Sequence, residues 1–333
     1  MAIPPALSDF YDPLRQTTTS FDEAAVRTFA ECVVAVKEGD VAARVELATG
    51  LLVAGFSNPS FTQSLYDQLA QAWLADAYPK SSPPTPQPLQ PTPGCALNDA
   101  FWQALLALHT DAPTLDPGSF TERVVGVGTH VAAEFGELAE QLAQGHPGAM
   151  QAHTRTAPPR FELDELGQQP QGSLAKELHA WLTSNGFVPE VLDRQTIGLA
   201  QLPPALRYLN TRILQTHDLW HLVAGYQTTG LHEIGISAFQ LAQFGHNYSA
   251  MFLASIVTMS CAAQPEGLPI LLQIISEGWL HGRQTTAFMG IDWEAQWHQP
   301  IDHIRQTHGI DPFVSQLPAS LLESLAQTEL GQA

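Results

Sequence analysis

The sequence predicts a mainly α-helical fold, and three observations carry that prediction. Apolar residues recur at helical spacing through residues 21–78. Alternating apolar and polar runs, the mark of a half-buried strand, are nearly absent. Between Glu233 and Glu266 there is no Asp, Glu, Lys or Arg, and residues 248–263 (YSAMFLASIVTMSCAA) are mostly apolar or small. A membrane span needs about 20 apolar residues, and His246, Asn247 and Tyr248 interrupt before that count is reached, so a central core helix is the expectation. Small residues on it, Ser249, Ala250, Ala254 and Ser255, could also leave room for an apolar cavity among the neighbouring helices.

Taken in order, Ala25, Phe29, Val33 and Ala35, then Val45, Ala48 and Leu51, then Leu65, Leu69 and Trp73 mark successive helices. Residues 79–94 (PKSSPPTPQPLQPTPG) are too rich in proline for helix or strand and read as an extended loop. Phe101, Trp102, Leu105, Leu106 and Leu108 suggest a further helix, and residues 124–142 a second, before HPGAM at 146–150 and the prolines 158, 159 and 170 interrupt. From Gly172 the chain turns helical again, with Ser173 as N-cap, Trp181 and Leu182 on the apolar face and Asn185–Gly186 as the stop. The organisation expected is an N-terminal helical region over 1–150 carrying the Pro-rich loop, and a second helical region over 151–333; the two could form one continuous domain.

The formal charge is −19 with only 14 Lys and Arg, so a nucleic-acid partner and a polybasic membrane patch are both excluded. Cys32, Cys95 and Cys261 are far apart and odd in number, which gives neither a disulfide framework nor a CxxC knuckle and suits a reducing compartment. The start, MAIPPALSDFYDPLRQ, lacks a signal-peptide layout and carries acids unlike a mitochondrial presequence, so a bacterial cytoplasmic protein is expected.

The chemistry-bearing segment is HDLWHLVAGYQTTGLHE at 217–233. Residues four apart share a helix face, so His217 and His221 can address one ion, with Asp218 about 100° further round. Glu233 would lie roughly 18 Å along an unbroken helix, so the chain must turn back, and Gly225 through Gly230 supply the turn that lets Glu233 open the next helix. Imidazole and carboxylate suit Zn²⁺ first, with Mg²⁺, Fe²⁺ and Mn²⁺ as other divalent candidates, and three or four protein ligands leave a position open for water or substrate. The same residues also fit a plain surface helix with two histidines and two acids.

With its flanks, this motif resembles the Coq4 family of ubiquinone biosynthesis, whose hallmark is HDxxH followed eleven residues later by Glu. Downstream, residues 279–310 are similar to the family's C-terminal signature: Trp279, Gly282–Arg283, the set Trp293, Glu294 and Trp297, then Pro300, Arg305 and Gly309–Ile310. Upstream, GSLAKELHAWLTSNGFVPE at 172–190 resembles the segment leading into the metal helix, so the clear likeness spans 150–312, with a faint echo at 39–50. Two departures stand out. His232 replaces a common Gly and could add a ligand or cap the helix, while Gln240 and Gly245–His246–Asn247 occupy the place of a Gly-Leu-Pro turn.

The resemblance implies an all-helical bundle with a metal site between two helices and an apolar cavity. It also implies a divalent metal at His217, Asp218, His221 and Glu233, and oxidative decarboxylation of a prenylated hydroxybenzoate-type substrate. The partners implied are an isoprenoid lipid or prenylated aromatic, a membrane surface contacted peripherally on its inner face, further copies of the chain and other quinone-biosynthesis proteins. Arg283 is a candidate for the ring carboxylate or a prenyl phosphate, against a salt bridge to Glu294 or Glu277. Trp293 and Trp297 read as core, Trp279 as core or lipid-facing, and His281, His298, His303 and His308 as solvent-facing, with His281 a candidate neighbour of the site. Two rivals remain at this level: a non-catalytic prenyl-lipid scaffold, and an HD-type phosphohydrolase that would recruit His179 and Asp292.

Overall fold

The computed structural model describes residues 5–79, 94–149, 151–190, 194–195 and 198–330, and among these every regular element is helical. The chain opens with α1 (Pro5–Ser20), a helix that the spacing from residue 21 onward does not reveal. Then come α2 (Glu23–Lys37), α3 (Val41–Phe56) and α4 (Thr62–Leu74). Asp22 and Asp40 each accept two backbone N–H bonds at the starts of α2 and α3, satisfying donors that a helix N-terminus leaves open. Of the Pro-rich loop expected over 79–94, residues 80–93 lie outside the described residues; where the chain resumes, Cys95 N–H donates to Ser57 O and Ser57 Oγ donates to Cys95 O.

The middle of the chain holds α5 (Asp99–Asp111), α6 (Pro117–Gly128), α7 (Ala133–Gly145) and the short α8 (Leu163–Gly167). The single helix expected over 124–142 is therefore two, because Gly126 and Gly128 weaken the helix just before the turn at 129–132. Next, α9 (Leu174–Asn185) starts on Ser173 and ends at Gly186, whose φ of 69° is the left-handed value that a stop of this kind requires. Its Trp181 is half-buried and Leu182 fully so.

The core of the molecule is α10 (Pro204–Ala224), α11 (Gly230–Phe244), α12 (Asn247–Ala263) and α13 (Leu268–Gln284), followed by α14 (Ile301–His308) and α15 (Leu321–Leu330). The charge-free stretch takes in most of α11 and the whole of α12, and the apolar run at 248–263 lies in α12, buried along most of its length as expected of a core helix. No helix among the described residues is long and apolar enough to cross a membrane. Helices from the first 150 residues pack directly on these later ones, α3 on α12 and α4 on α13, within one cluster of buried side chains. The pair α11 and α13 touch backbone to backbone. A Cβ on Gly278 would overlap the carbonyl of Gly235, and one on Gly282 would come within 2.5 Å of Phe239 O, so glycine is required at both positions.

Trp279 is 1% exposed and stacked on Tyr66 with ring centroids 5.2 Å apart, so it is core and does not face lipid. Trp293 is likewise buried, and Trp297 packs half-buried against Phe161. The two tryptophans flank a short 3-10 turn at Glu294–Gln296.

Candidate metal centre

Both ends of α10 are held by residues distant in sequence, which fixes where its histidines point. At its start the Glu140 carboxylate accepts from Ala205 N and Leu206 N, each at 2.9 Å, and the acid also suits the positive pole of the helix. At its end Gly225 adopts φ 82°, Arg305 donates to Leu222 O and Val223 O at 2.9 Å, and Phe313 N–H donates to Ala224 O. Arg212, on the same helix, pairs with Glu294 at 2.9 Å and donates to Gln215. Much of the C-terminal signature thus acts as scaffolding for α10: Glu294 and Arg305 hold it directly.

The turn after Gly225 reverses the chain, and Thr229 caps α11 by accepting from His232 N. His232 closes this turn, its Nδ1 accepting from Gln227 N–H at 2.8 Å, and it stays out of the cluster. Glu233 then falls in the first turn of α11 and faces back to α10. His217 Nε2 lies 3.3 Å from Glu233 Oε2, His221 Nε2 lies 3.3 Å from Glu233 Oε1, and the two Nε2 atoms are 3.1 Å apart. Of the four residues expected to bind metal, the structure brings these three into one cluster with ligand atoms within 4.8 Å of one another; Asp218 is not in it. One helical position round from His217, its carboxylate stands beside the cluster and feels His217, His221 and Glu233 through their charges.

This donor set fits a divalent cation. Ligands about 2.0–2.1 Å from a tetrahedral ion stand about 3.3 Å apart, close to the Nε2–Nε2 separation of 3.1 Å and to the 3.3 Å approach of each imidazole to its own oxygen of Glu233. His221 is 1% exposed, whereas the side chains of His217 and Glu233 are 30% and 44% exposed, so the cluster is walled on one side and reachable on the other. An ion held there would be reachable by water or substrate from the exposed side, as sealed structural sites are not.

The outer nitrogens of both imidazoles are also engaged. His221 Nδ1 donates to Tyr226 O at 3.3 Å, so with a cation bound the proton would stay on Nδ1 and the Nε2 lone pair would face the ion. Gln240 reaches back from α11 to His217, its amide N–H donating to Nδ1 at 2.8 Å. Half a turn of that carboxamide presents oxygen to an Nδ1–H and frees the Nε2 lone pair of His217 for a cation. The departure at position 240 therefore has a role at this centre, which spacing alone does not reveal because Gln240 lies 23 residues from its partner.

Electrostatics agree with a site that gathers positive charge. Burial disfavours charge on Glu233, but hydrogen bonds and charge from His217 and His221 outweigh it and hold the carboxyl well below its usual range. Burial likewise opposes protonation of His217, yet the hydrogen bond and charge of Glu233, with Asp218, raise it. Asp218 is raised, chiefly by burial, with His217 and His221 pulling the other way.

Arg283 does not face this centre. It forms a buried pair with Asp67 of α4 at 3.3 Å, both side chains 7% exposed, and Asp67 also accepts from Trp279 Nε1 at 2.8 Å. Neither acid proposed as its alternative partner is used: Glu294 holds Arg212, and Glu277 accepts from Gln273, Ser315 and Gln316. Sequence spacing cannot pair Arg283 with an acid 216 positions away. His281 is one step removed from the cluster, its Nδ1 accepting from Tyr226 O–H at 2.9 Å and its Nε2–H donating to Asp311 O at 2.8 Å. His298 and His303 are exposed and His308 is half-buried. Neither His179 nor Asp292 joins the cluster.

A cavity of about 60 Å³ lies between α3, α7, α11, α12 and α13, walled by Ala54, Leu142, Leu241, Ala250 and Trp279 among others. None of the cluster residues lines it, and benzene alone needs a cavity of about 150 Å³, so it is not the expected tail cavity beside the metal helix.

A family model described as coenzyme Q (ubiquinone) biosynthesis protein Coq4 matches residues 120–313, well over half of the chain and the whole of α10, α11 and their supports. The chain belongs to the Coq4 family. The match begins some 30 residues before the likeness read from motifs, taking in α7 and its Glu140. Among Coq4 relatives, the rat mitochondrial ubiquinone biosynthesis protein COQ4 homolog is 25% identical over 178 residues, which cover 53% of this chain and 65% of the rat protein. The COQ4 protein of Eremothecium gossypii is 26% identical over 153 residues, covering 46% of each chain. The chain thus spans less than two thirds of the length of these curated relatives. A solved structure from Nostoc punctiforme PCC 73102, named for ubiquinone biosynthesis, is 27% identical with a TM-score of 0.48, covering 64% of this chain and 98% of that one.

Proposed function

We propose that this Coq4-family chain is a metal-dependent enzyme of quinone synthesis that acts on a prenylated aromatic acid, exchanging the ring carboxylate for a hydroxyl. The observation that carries the reading is the triangle of His217, His221 and Glu233, with edges of 3.1 and 3.3 Å and one open side. In this reading those residues hold a divalent ion, Zn²⁺ foremost. The ion would supply Lewis-acid polarisation and an anchor for a carboxylate.

The chain's own residues do the rest. Tyr226 and Gln240 hold the two imidazoles in register, and Asp218, its carboxyl raised chiefly by burial, adds negative charge beside the cluster. The exchange is a two-electron oxidation in which ring carboxylic acid and water give phenol, carbon dioxide, two protons and two electrons, the electrons passing to an external oxidant. The substrate's tail places the protein at the inner membrane face, beside other quinone-synthesis proteins. The absence of His179 and Asp292 from the cluster counts against the phosphohydrolase.

The test is elemental and lipid mass spectrometry of purified wild-type and His217→Ala protein, followed by incubation with a prenylated hydroxybenzoate and an oxidant. Stoichiometric divalent metal that disappears in the variant, with carbon dioxide released by the wild type alone, is the expected result. A metal-free wild type overturns the reading. Metal and co-purifying isoprenoid without turnover would instead make the protein a lipid-binding scaffold.

A further inference from the structure

A second cleft lies at the far end of the chain, outside the family match. It is an open groove of about 200 Å³ between α1, α2 and α3, with Thr17, Ser20, Thr28, Cys32 and Glu46 supplying its polar atoms. Its chemistry is one-sided. Thr17 Oγ1 donates its proton to Pro13 O, Ser20 Oγ to Thr17 O, Thr28 Oγ1 to Ala24 O and Cys32 Sγ to Ala43 O. Each hydroxyl therefore has only lone pairs left for the cleft. Glu46 adds a carboxylate and, among the described residues, has no salt bridge.

Two further features make the cleft negative. Thr17 and Ser20 belong to the last turn of α1, the negative pole of a 16-residue helix that has no basic residue there to offset it. No Lys, Arg or His lines the cleft, in a chain whose net charge is −19. Burial, with the charges of Glu46 and Asp40, also pushes the Cys32 thiol up to about 12, so it stays neutral and adds no anion of its own. Phe21 and Phe29 provide apolar walls, packed over Gly50 of α3. A cavity of about 150 Å³ holds a benzene ring, so this one takes a ligand of single-ring size.

We propose that this cleft binds a small organic cation: a primary ammonium on an apolar body of about one ring. An acceptor-only lining selects a group with several N–H donors, and a negative cleft in an acidic protein raises the local concentration of such cations. The ammonium could be carried on an aromatic body or on a lysine-like alkyl chain, and the probes separate the two.

The test is isothermal titration of the full chain at low ionic strength with benzylamine, n-butylamine and neutral benzyl alcohol. Saturable one-to-one binding of benzylamine or n-butylamine, with no binding of benzyl alcohol, is expected; the tighter amine identifies the body. Glu46→Gln, an exposed change that leaves the melting temperature in place, should weaken amine binding about tenfold or more. Glu31→Gln, elsewhere on α2, and His217→Ala, at the metal centre, should leave it unchanged, so this cleft and the metal reading fail separately. Equal binding of benzyl alcohol, unchanged affinity in Glu46→Gln, or no saturable amine binding overturns the proposal.

Discussion

His217 and His246 are imidazoles on adjoining parts of the same helical core, and the structure treats them oppositely. His217 faces Glu233, which raises its affinity for a proton. His246 is held by Ser249 and Asn210, partners that suit its neutral form, and burial with the charge of His217 pushes it down to about 3. Acids show the same contrast. Glu233 is 44% exposed, and its ion-pair partners are histidines whose protons a metal can replace, whereas Asp67 is buried and closed on Arg283 and Trp279. A polar cluster closed on the protein's own partners is structural; one left open on a side, with its ligands prepositioned, is available for chemistry.

Acid should produce the largest effect. His109 and His246 sit at about 3, and His146 and His281 at about 4, all four lowered first by burial. Below the ordinary 6.5 the unfolded chain takes up protons at these positions that the folded chain refuses. Stability should therefore fall as pH drops from 6.5 toward 4, with a slope approaching about 1.4 kcal/mol per pH unit for each histidine. His217 works in the other direction in chelator-treated protein, stabilising below 6.5 and losing that contribution as pH rises through its raised value. Urea unfolding with chelator across pH 4–7 measures the sum; a flat profile would mean that the buried histidines are reached by protons in the fold.

Asp67→Ala removes the acid paired with the buried Arg283 guanidinium and should cost about 3 kcal/mol or more in urea unfolding. Metal content should stay the same, and its loss at unchanged stability would move Arg283 into the functional site. The reverse pattern is expected of Glu233→Gln. Divalent-metal affinity should fall about 100-fold in a competition titration, with little change in unfolding, because the side chain it alters is half-exposed.

Gln240→Ala is the finer probe. Removal of the group that orients His217 should weaken metal binding about tenfold, and Gln240→Glu, which retains an acceptor for Nδ1–H, should recover most of it. The smallest change is Thr229→Ala, which removes the cap of the helix carrying Glu233 and should cost about 1 kcal/mol in thermal unfolding.

Local chemistry explains how much of this was legible. The helices α2 to α4, α9 and α12 follow from apolar spacing, from Asp and Ser caps and from glycine stops, all short-range signals. The whole of α1, which carries Pro13 in its interior, was not legible, because packing against α3 and α12 outweighs local propensity there, and the break between α6 and α7 rests on Gly126 and Gly128, which an apolar-spacing pattern passes over. At the centre, His217, His221 and Glu233 could be named from spacing because one turn joins their two helices. Asp218 shared the motif but was carried to the side by the 100° step of the helix.

The sequence by itself determined an all-helical chain, the Coq4 likeness and the juxtaposition of His217, His221 and Glu233. These rest on periodicity and spacing within a few turns. Only the tertiary structure decided that Arg283 belongs to Asp67, that Gln240 belongs to His217, that Trp279 is core and that an acceptor-lined cleft lies between α1 and α3. Each joins residues on different helices, and such a pairing is selected by the packing of the whole core rather than by any local pattern.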